Sequence, residues 1–241
     1  MVEIPLRSCT NVRDLGEYDT PRGTTRTHRF LRCGGTRILS RDDLEYFRAY
    51  GVTRVLDLRS VGESPKLTCR LSNQPWVTWR NIPLYEYDIS APTIIPTAGM
   101  DNYLVSSYLH MLTAQQVMRD IFGFFATASP SECVLFHCAA GMDRTGMLAM
   151  LLLGLANVPR EQILADYCYS FAPREDVDAA IATGVAESAS EFASFILQTR
   201  LDAIGTVYDT IVQTHGSVRD YLRSCGIEPR TLDTVRAHLC D

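Results

Sequence analysis

Val134-Leu135-Phe136-His137-Cys138-Ala139-Ala140-Gly141-Met142-Asp143-Arg144-Thr145-Gly146 runs from an apolar segment through a short loop of small residues into a second apolar run, Met147 to Val158. That order predicts a buried strand, a tight loop and a buried helix in immediate succession. Such a unit is an anion site. The backbone N–H groups of Ala139, Ala140, Gly141, Met142, Asp143 and Arg144 can curl around a phosphate, and the first turn of the helix adds unpaired donors and the positive end of its dipole. Gly141 relieves the steric restriction of the curl. Cys138 at the strand end aims its sulfur into the same cradle, where donors and dipole favour the nucleophilic thiolate. Arg144 offers a planar fork for two phosphate oxygens, which a lysine would not match. The Thr145 hydroxyl is placed to steady the sulfur when it leaves. His137 is expected to orient the loop by hydrogen bonding, not to act as a base.

Working outward, Val52 to Leu58 reads as a second buried strand ending at Asp57 and Arg59. It follows a helix over Asp42 to Tyr50, capped by Ser40 and stopped by Gly51. Residues 1 to 40 read as loop with a short strand at Arg29-Phe30-Leu31-Arg32. The five prolines between residues 60 and 100 exclude long helices there and leave a strand near Val77 to Ile82. Tyr103 to Ala128 has helical spacing as far as Ser129-Pro130. The chain beyond Gly146 reads as mostly helical, broken near Pro173, near Gly205 and at Gly226. Alternating helices and buried strands give an α/β class, with a central sheet flanked by helices and a mostly helical C-terminal part. A length of 241 residues suits a single domain over 1–241.

With a net charge of −5 and no basic stripe or polybasic segment, the chain is not expected to bind nucleic acid or an anionic membrane. Met147 to Val158 is too short for an integral membrane segment. Met1-Val2-Glu3-Ile4-Pro5 has neither the basic start nor the apolar run of a secretory signal, so a cytoplasmic protein is expected, with unconventional secretion left open. The eight scattered cysteines suggest reduced thiols, and their spacing offers no zinc pattern. Neither a metal nor a cofactor is expected.

The run His137 to Gly146 resembles the His-Cys-x5-Arg-Thr-Gly signature of protein tyrosine and dual-specificity phosphatases. Asn11-x-Arg13-Asp14-Leu15-Gly16, then Asp57-Leu58-Arg59-Ser60 followed by Glu63, then Asp143 before Arg144, resemble the bacterial and fungal tyrosine/serine phosphatase family within that superfamily. The likeness reaches Tyr221-Leu222-x3-Gly226-Ile227 and so covers almost the whole chain. It implies the α/β phosphatase fold and hydrolysis of a phosphorylated protein or small phosphate monoester through a cysteinyl-phosphate intermediate, without metal. Phosphotyrosine is the implied substrate, with phosphoserine, phosphothreonine or phosphoinositides as further possibilities. Two departures stand out. Met142 replaces the family's usual lysine, which counts against phosphoinositides, and the usual double glycine is reduced to Gly16-Glu17.

Three classes compete: an active phosphatase, a phosphate-binding module with little turnover, and another cysteine-loop enzyme such as a sulfurtransferase or arsenate reductase. Cys138, Asp143, Arg144 and Thr145 together favour the first. Proton donation to the leaving oxygen needs a carboxylic acid. Asp143 is the expected donor, with Asp57 as the alternative, although Asp57 and Arg59 could equally form a structural ion pair. Asp101, at the spacing seen in many tyrosine phosphatases, reads more simply as a helix N-cap. Asn11, Arg13 and Asp14 are expected to brace the loop from behind.

Overall fold

The strand that delivers Cys138 is the fourth of a six-stranded mixed sheet. The computed structural model describes residues 2–63, 69–85, 100–171 and 186–240, with backbone alone at 100–102 and 186–196. In spatial order the sheet contains β1 (Val2–Glu3), β2 (Arg13–Asp14), β5 (Phe30–Cys33), β8 (Cys133–His137), β6 (Val52–Asp57) and β7 (Thr78–Asn81). The last four run parallel, while β2 pairs antiparallel with both β5 and β1. A separate hairpin joins β3 (Asp19–Thr20) to β4 (Gly23–Thr24). Register sets Cys33 of β5 and Asp57 of β6 on either side of His137, so three strands end together at the root of the loop.

Every residue of β8 is buried because both faces of the sheet are covered. On one face Phe30, Leu56, Val134 and Phe136 pack with Phe122, Phe125, Leu148 and Leu151. On the other, Leu31, Val55 and Leu135 meet Leu44 and Phe47. The helices are α1 (Arg41–Ala49), α2 (Met100–Leu112), α3 (Gln115–Ala126), α4 (Asp143–Leu155), α5 (Arg160–Tyr169), α6 (Ala186–His215), α7 (Val218–Ser224) and α8 (Pro229–Cys240). Ser40 caps α1 in a reciprocal box with Asp43, as its sequence suggests. Helix α4 is buried from Arg144 to Leu155, which explains a run with no polar face. No described helix is long and apolar enough to cross a membrane.

Two expectations about helices need correction. The helical run from Tyr103 is two helices, because the Thr113 hydroxyl bonds back to the His110 carbonyl while Tyr221 of α7 donates to the Leu112 carbonyl and ends α2. Helix α6 continues through Gly205. A Cβ there would stand 3.0 Å from the Arg160 guanidinium of α5, so this glycine serves close packing and not chain reversal. Gly226, with φ +84°, does separate α7 from α8. The break expected at Pro173 lies outside the described residues.

Candidate active site

Between His137 and Asp143 the chain turns sharply, and three of its carbonyls are held by side chains, one from His137 itself and two from elsewhere in the chain. Nδ1 of His137 donates to the Cys138 carbonyl at 3.1 Å, Nδ2 of Asn11 to that of Ala140 at 3.0 Å, and Nη2 of Arg32 to that of Gly141 at 2.9 Å. A trans peptide sets each C=O opposite the next N–H. The N–H groups of Ala139, Gly141 and Met142 are thereby turned away from the braces, toward the inside of the loop. Gly141 has φ +72°, and a Cβ there would sit 2.5 Å from the backbone of Cys33, so only glycine lets the loop lie against the end of β5. Met142 precedes α4 without a side-chain cap, leaving the first-turn donors of that helix to face the same space.

Behind the loop lies a buried ionic network. Asp166 of α5 accepts from Nε of Arg13 at 2.8 Å, from Nη1 of Arg32 and from the Tyr18 hydroxyl at 2.8 Å. Ser170 and the Asp166 carbonyl take further Arg13 donors. Burial disfavours the Asp166 carboxylate, yet the two guanidiniums outweigh it and hold the group at about 2. The same burial, with Arg13 beside it, lowers Arg32 to about 10. Two cations against one anion leave net positive charge behind the cradle. Asn11 braces the loop directly and Arg13 acts through Asp166. Asp14 does not reach the loop: it accepts from the N–H groups of Gly16 and His28 and from the Tyr50 hydroxyl, ordering its own turn.

Cys138 is 3% exposed at the base of the loop, and Thr145 is fully buried with a hydroxyl that has no partner among the described residues. Arg144, also buried, pairs through Nη1 and Nη2 with both carboxylate oxygens of Glu63 at 2.6 and 3.0 Å. Burial again works against the carboxylate, and Arg144 together with the Ser60 N–H overrides it, lowering Glu63 to about 2. Asp57 is fully buried and committed to Arg59, whose Nε and Nη2 approach it at 2.8 and 2.5 Å. Its Oδ2 lies 3.9 Å from Nε2 of His137. Burial opposes charge on that imidazole, but Asp57 and the Cys69 thiol prevail and raise His137 to about 9. Reciprocally, His137 and Thr36 overcome burial at Cys69 and lower its thiol.

Asp143 faces the opposite way, toward α2, α5 and α6. Its carboxylate accepts from Nη1 of Arg200 at 2.5 Å and from the Tyr108 hydroxyl, which also bonds the Tyr167 hydroxyl at 2.5 Å. The Arg200 guanidinium lies over the Phe171 ring, 4.3 Å from its centroid. The side chain of Asp143 is 28% exposed, against complete burial for Asp57. Asp101 falls inside the first turn of α2 and is not its cap; its side chain lies outside the described residues. No group of three His, Cys, Asp or Glu side chains among the described residues could hold a metal ion.

The loop thus gathers Cys138, Ala139, Ala140, Gly141, Met142, Asp143, Arg144 and Thr145, while Asp57 joins it from below through His137. Roles for Arg32, Asp166, Glu63 and Arg200 do not follow from the motif. Arg32 carries one local signal, a charge inside the apolar strand Phe30-Leu31-Arg32-Cys33.

Comparison with known proteins bears on this arrangement. A model of the tyrosine phosphatase family matches residues 4–241. A Cupriavidus necator protein, provisionally named a tyrosine-protein phosphatase, is 33% identical over 177 residues, 70% of this chain and 63% of the relative. The triple specificity protein phosphatase PtpB of Mycobacterium tuberculosis is 30% identical over 150 residues, 57% of this chain and 54% of its own. A tyrosine-protein phosphatase of Nostoc commune is 28% identical over 218 residues, 87% of this chain and 74% of its own. The matches therefore span less than two thirds of the length of the first two relatives.

Proposed function

Because the chain belongs to the tyrosine phosphatase family, we propose that it hydrolyses phosphate monoesters, phosphotyrosine above all, through a phosphocysteine on Cys138. The observation that carries the proposal is the set of three braced carbonyls, which turns the N–H groups of Ala139, Gly141 and Met142 into a preformed cradle above the sulfur. The Cys138 thiolate attacks phosphorus; the S–P bond forms as the ester P–O bond breaks. Arg144, fixed by Glu63, holds two non-bridging oxygens as charge builds on them. The departing oxygen takes a proton from Asp143, which is chosen over Asp57 because a donor must reach the leaving group and Asp57 is sealed beneath the loop on Arg59. Arg200 and Tyr108 orient that carboxyl. Water, passing a proton to the Asp143 carboxylate, then attacks phosphorus, the S–P bond breaks, and the Thr145 hydroxyl stabilises the returning thiolate. Met142, uncharged beside the phosphate, favours singly phosphorylated substrates over phosphoinositides.

Cys138→Ser is the direct test. Turnover of phosphotyrosine peptides is expected to fall below detection while vanadate or phosphate still binds, since backbone donors and Arg144 make most of the cradle. Residual turnover above a few per cent of wild type would exclude the covalent route.

A further inference from the structure

Away from the loop, the flank of α3 and the edge of the sheet enclose an open groove of about 630 Å³. Thr78 and Arg80 project into it from β7, Arg54 from the adjacent β6, and Arg119, Asp120 and Gly123 from α3. The groove exists because α3 buries Met118, Ile121, Phe122 and Phe125 toward the core and presents a glycine where a side chain would close the gap; a Cβ on Gly123 would meet nothing within 4 Å.

Its charge is opposite to that of the protein. Three guanidiniums stand against one lining carboxylate, in a chain whose net charge is −5. Nine arginines elsewhere pair with acids, whereas none of these three forms an ion pair with a described carboxylate. Arg54 donates to the Thr127 hydroxyl and lies over the Phe124 ring; Arg119 donates to the side chain of Gln116 and the carbonyl of Cys225. Both are positioned by neutral hydrogen-bond partners, and Arg54 also feels the Glu132 carboxylate without a direct ion pair to it. The groove also has a direction. Strand β7 is the outermost of the sheet, pairing only with β6 among the described strands, and its outer N–H and C=O groups form a template for an extended chain. Because β6, β7 and β8 are parallel, the Asn81-Ile82-Pro83 end of the groove lies at the same end of the sheet as Cys138.

We propose that this groove docks an extended acidic segment of a protein partner, added as a strand along Thr78–Asn81 with its carboxylates on Arg54, Arg80 and Arg119, and that the segment belongs to the phosphorylated substrate. The docked stretch is short, since four strand residues span about 13 Å. Main-chain pairing supplies the fit and the arginines the choice of acidic side chains. Nucleic acid and anionic lipid share the charge but have no backbone to pair with the strand edge. The kinetic consequence rests on the phosphatase reading; the binding itself does not.

Binding is measured on the full chain by fluorescence anisotropy, using an unphosphorylated peptide of alternating glutamate and valine. Controls are its lysine analogue, a version with proline at alternate positions, a short oligonucleotide and anionic phosphatidylserine vesicles. The glutamate peptide is expected to bind, to weaken with added salt as exposed charges do, and to lose about tenfold in affinity in Arg80→Glu and in Gly123→Leu, whose Cβ meets nothing within 4 Å. The proline peptide should bind as weakly as these variants allow. Both variants should hydrolyse a small aryl phosphate normally and raise the KM of an acidic phosphotyrosine peptide about tenfold relative to a neutral one. Equal peptide binding by wild type and both variants, tighter binding of the oligonucleotide or vesicles, or dimerisation abolished by Arg80→Glu would overturn the proposal. A protein that binds the peptide but hydrolyses no phosphotyrosine would overturn the phosphatase reading and leave the docking groove standing.

Discussion

Asn11 offers a clean way to ask whether braced carbonyls make the cradle. Its Nδ2 donates a single 3.0 Å bond to the Ala140 carbonyl, while its own carbonyl is held by Nη1 of Arg13 at 3.3 Å and stays in place whatever the side chain. Asn11 has φ +57°, which glycine and aspartate accept but alanine resists, so Asn11→Gly and Asn11→Asp change the side chain without straining the turn. Asn11→Gly removes one partly exposed hydrogen bond, worth about 0.5–1.5 kcal/mol. Spent wholly on loop geometry, that lowers kcat/KM by about 2- to 13-fold. It should move Tm by no more than a few degrees, as about 1 kcal/mol does in a chain of this size. Asn11→Asp keeps the shape but turns a carboxylate oxygen onto the Ala140 carbonyl. It also sets a negative charge beside the cradle, worth roughly 2 kcal/mol against a bound anion several ångströms away at an effective dielectric constant near 20. With the lost bond this totals about 2.5–3.5 kcal/mol, a loss of roughly a hundredfold in kcat/KM. The assay is kcat/KM on a phosphotyrosine peptide, with vanadate affinity and Tm measured on the same preparations. If Asn11→Gly matches wild type and Asn11→Asp is no worse than Asn11→Gly, the carbonyl brace does not shape the cradle.

Asp143→Asn is expected to slow an alkyl or tyrosyl phosphate far more than an activated nitrophenyl phosphate, because only the poor leaving groups need the proton; equal slowing would make Asp143 an anchor for Arg200 and nothing more. Glu63 has a folded-state value near 2 against an ordinary 4.5, so its pairing with Arg144 stabilises the fold above pH 4.5 and that contribution disappears as pH falls toward 2. Urea unfolding across that window should show wild-type stability declining with acid and Glu63→Gln declining less; parallel curves would remove Glu63 from the acid response. Met142→Lys should raise phosphoinositide hydrolysis more than phosphopeptide hydrolysis, measured as the ratio of the two kcat/KM values, and an unchanged ratio would show that position 142 does not select the substrate.

Elements with local causes were legible before the structure. Helix α1 announces itself through Ser40 and Asp43, β6 and β8 through short apolar runs, and the end of α7 through Gly226. Elements with tertiary causes were not. Glycine inside a helix costs about 1 kcal/mol relative to alanine, so Gly205 reads as a break; the packing of Arg160 against it offsets that cost and α6 runs on. The division between α2 and α3 depends on a hydroxyl more than a hundred residues away, at Tyr221. Asp57 and Arg59 read equally as chemistry or as an ion pair. Register decides their place, because pairing β6 with β8 aligns Asp57 with His137 beneath the loop.

Sequence alone determined the strand, the loop, the helix and the candidate site residues they carry, because Cys138 to Gly146 is contiguous and a loop curled on its own backbone is a local structure. Tertiary structure decided what holds the cradle in shape. Apart from the local His137 bond, the bonds to its carbonyls and side chains come from Asn11, Arg32, Glu63 and Arg200, which lie 129, 109, 81 and 57 residues from their partners and become neighbours only through strand register and helix packing. Local physics specifies the direction of a chain over a few residues; closing loops of that length takes the burial of the whole core, so these distant braces are a property of the fold and not of the motif.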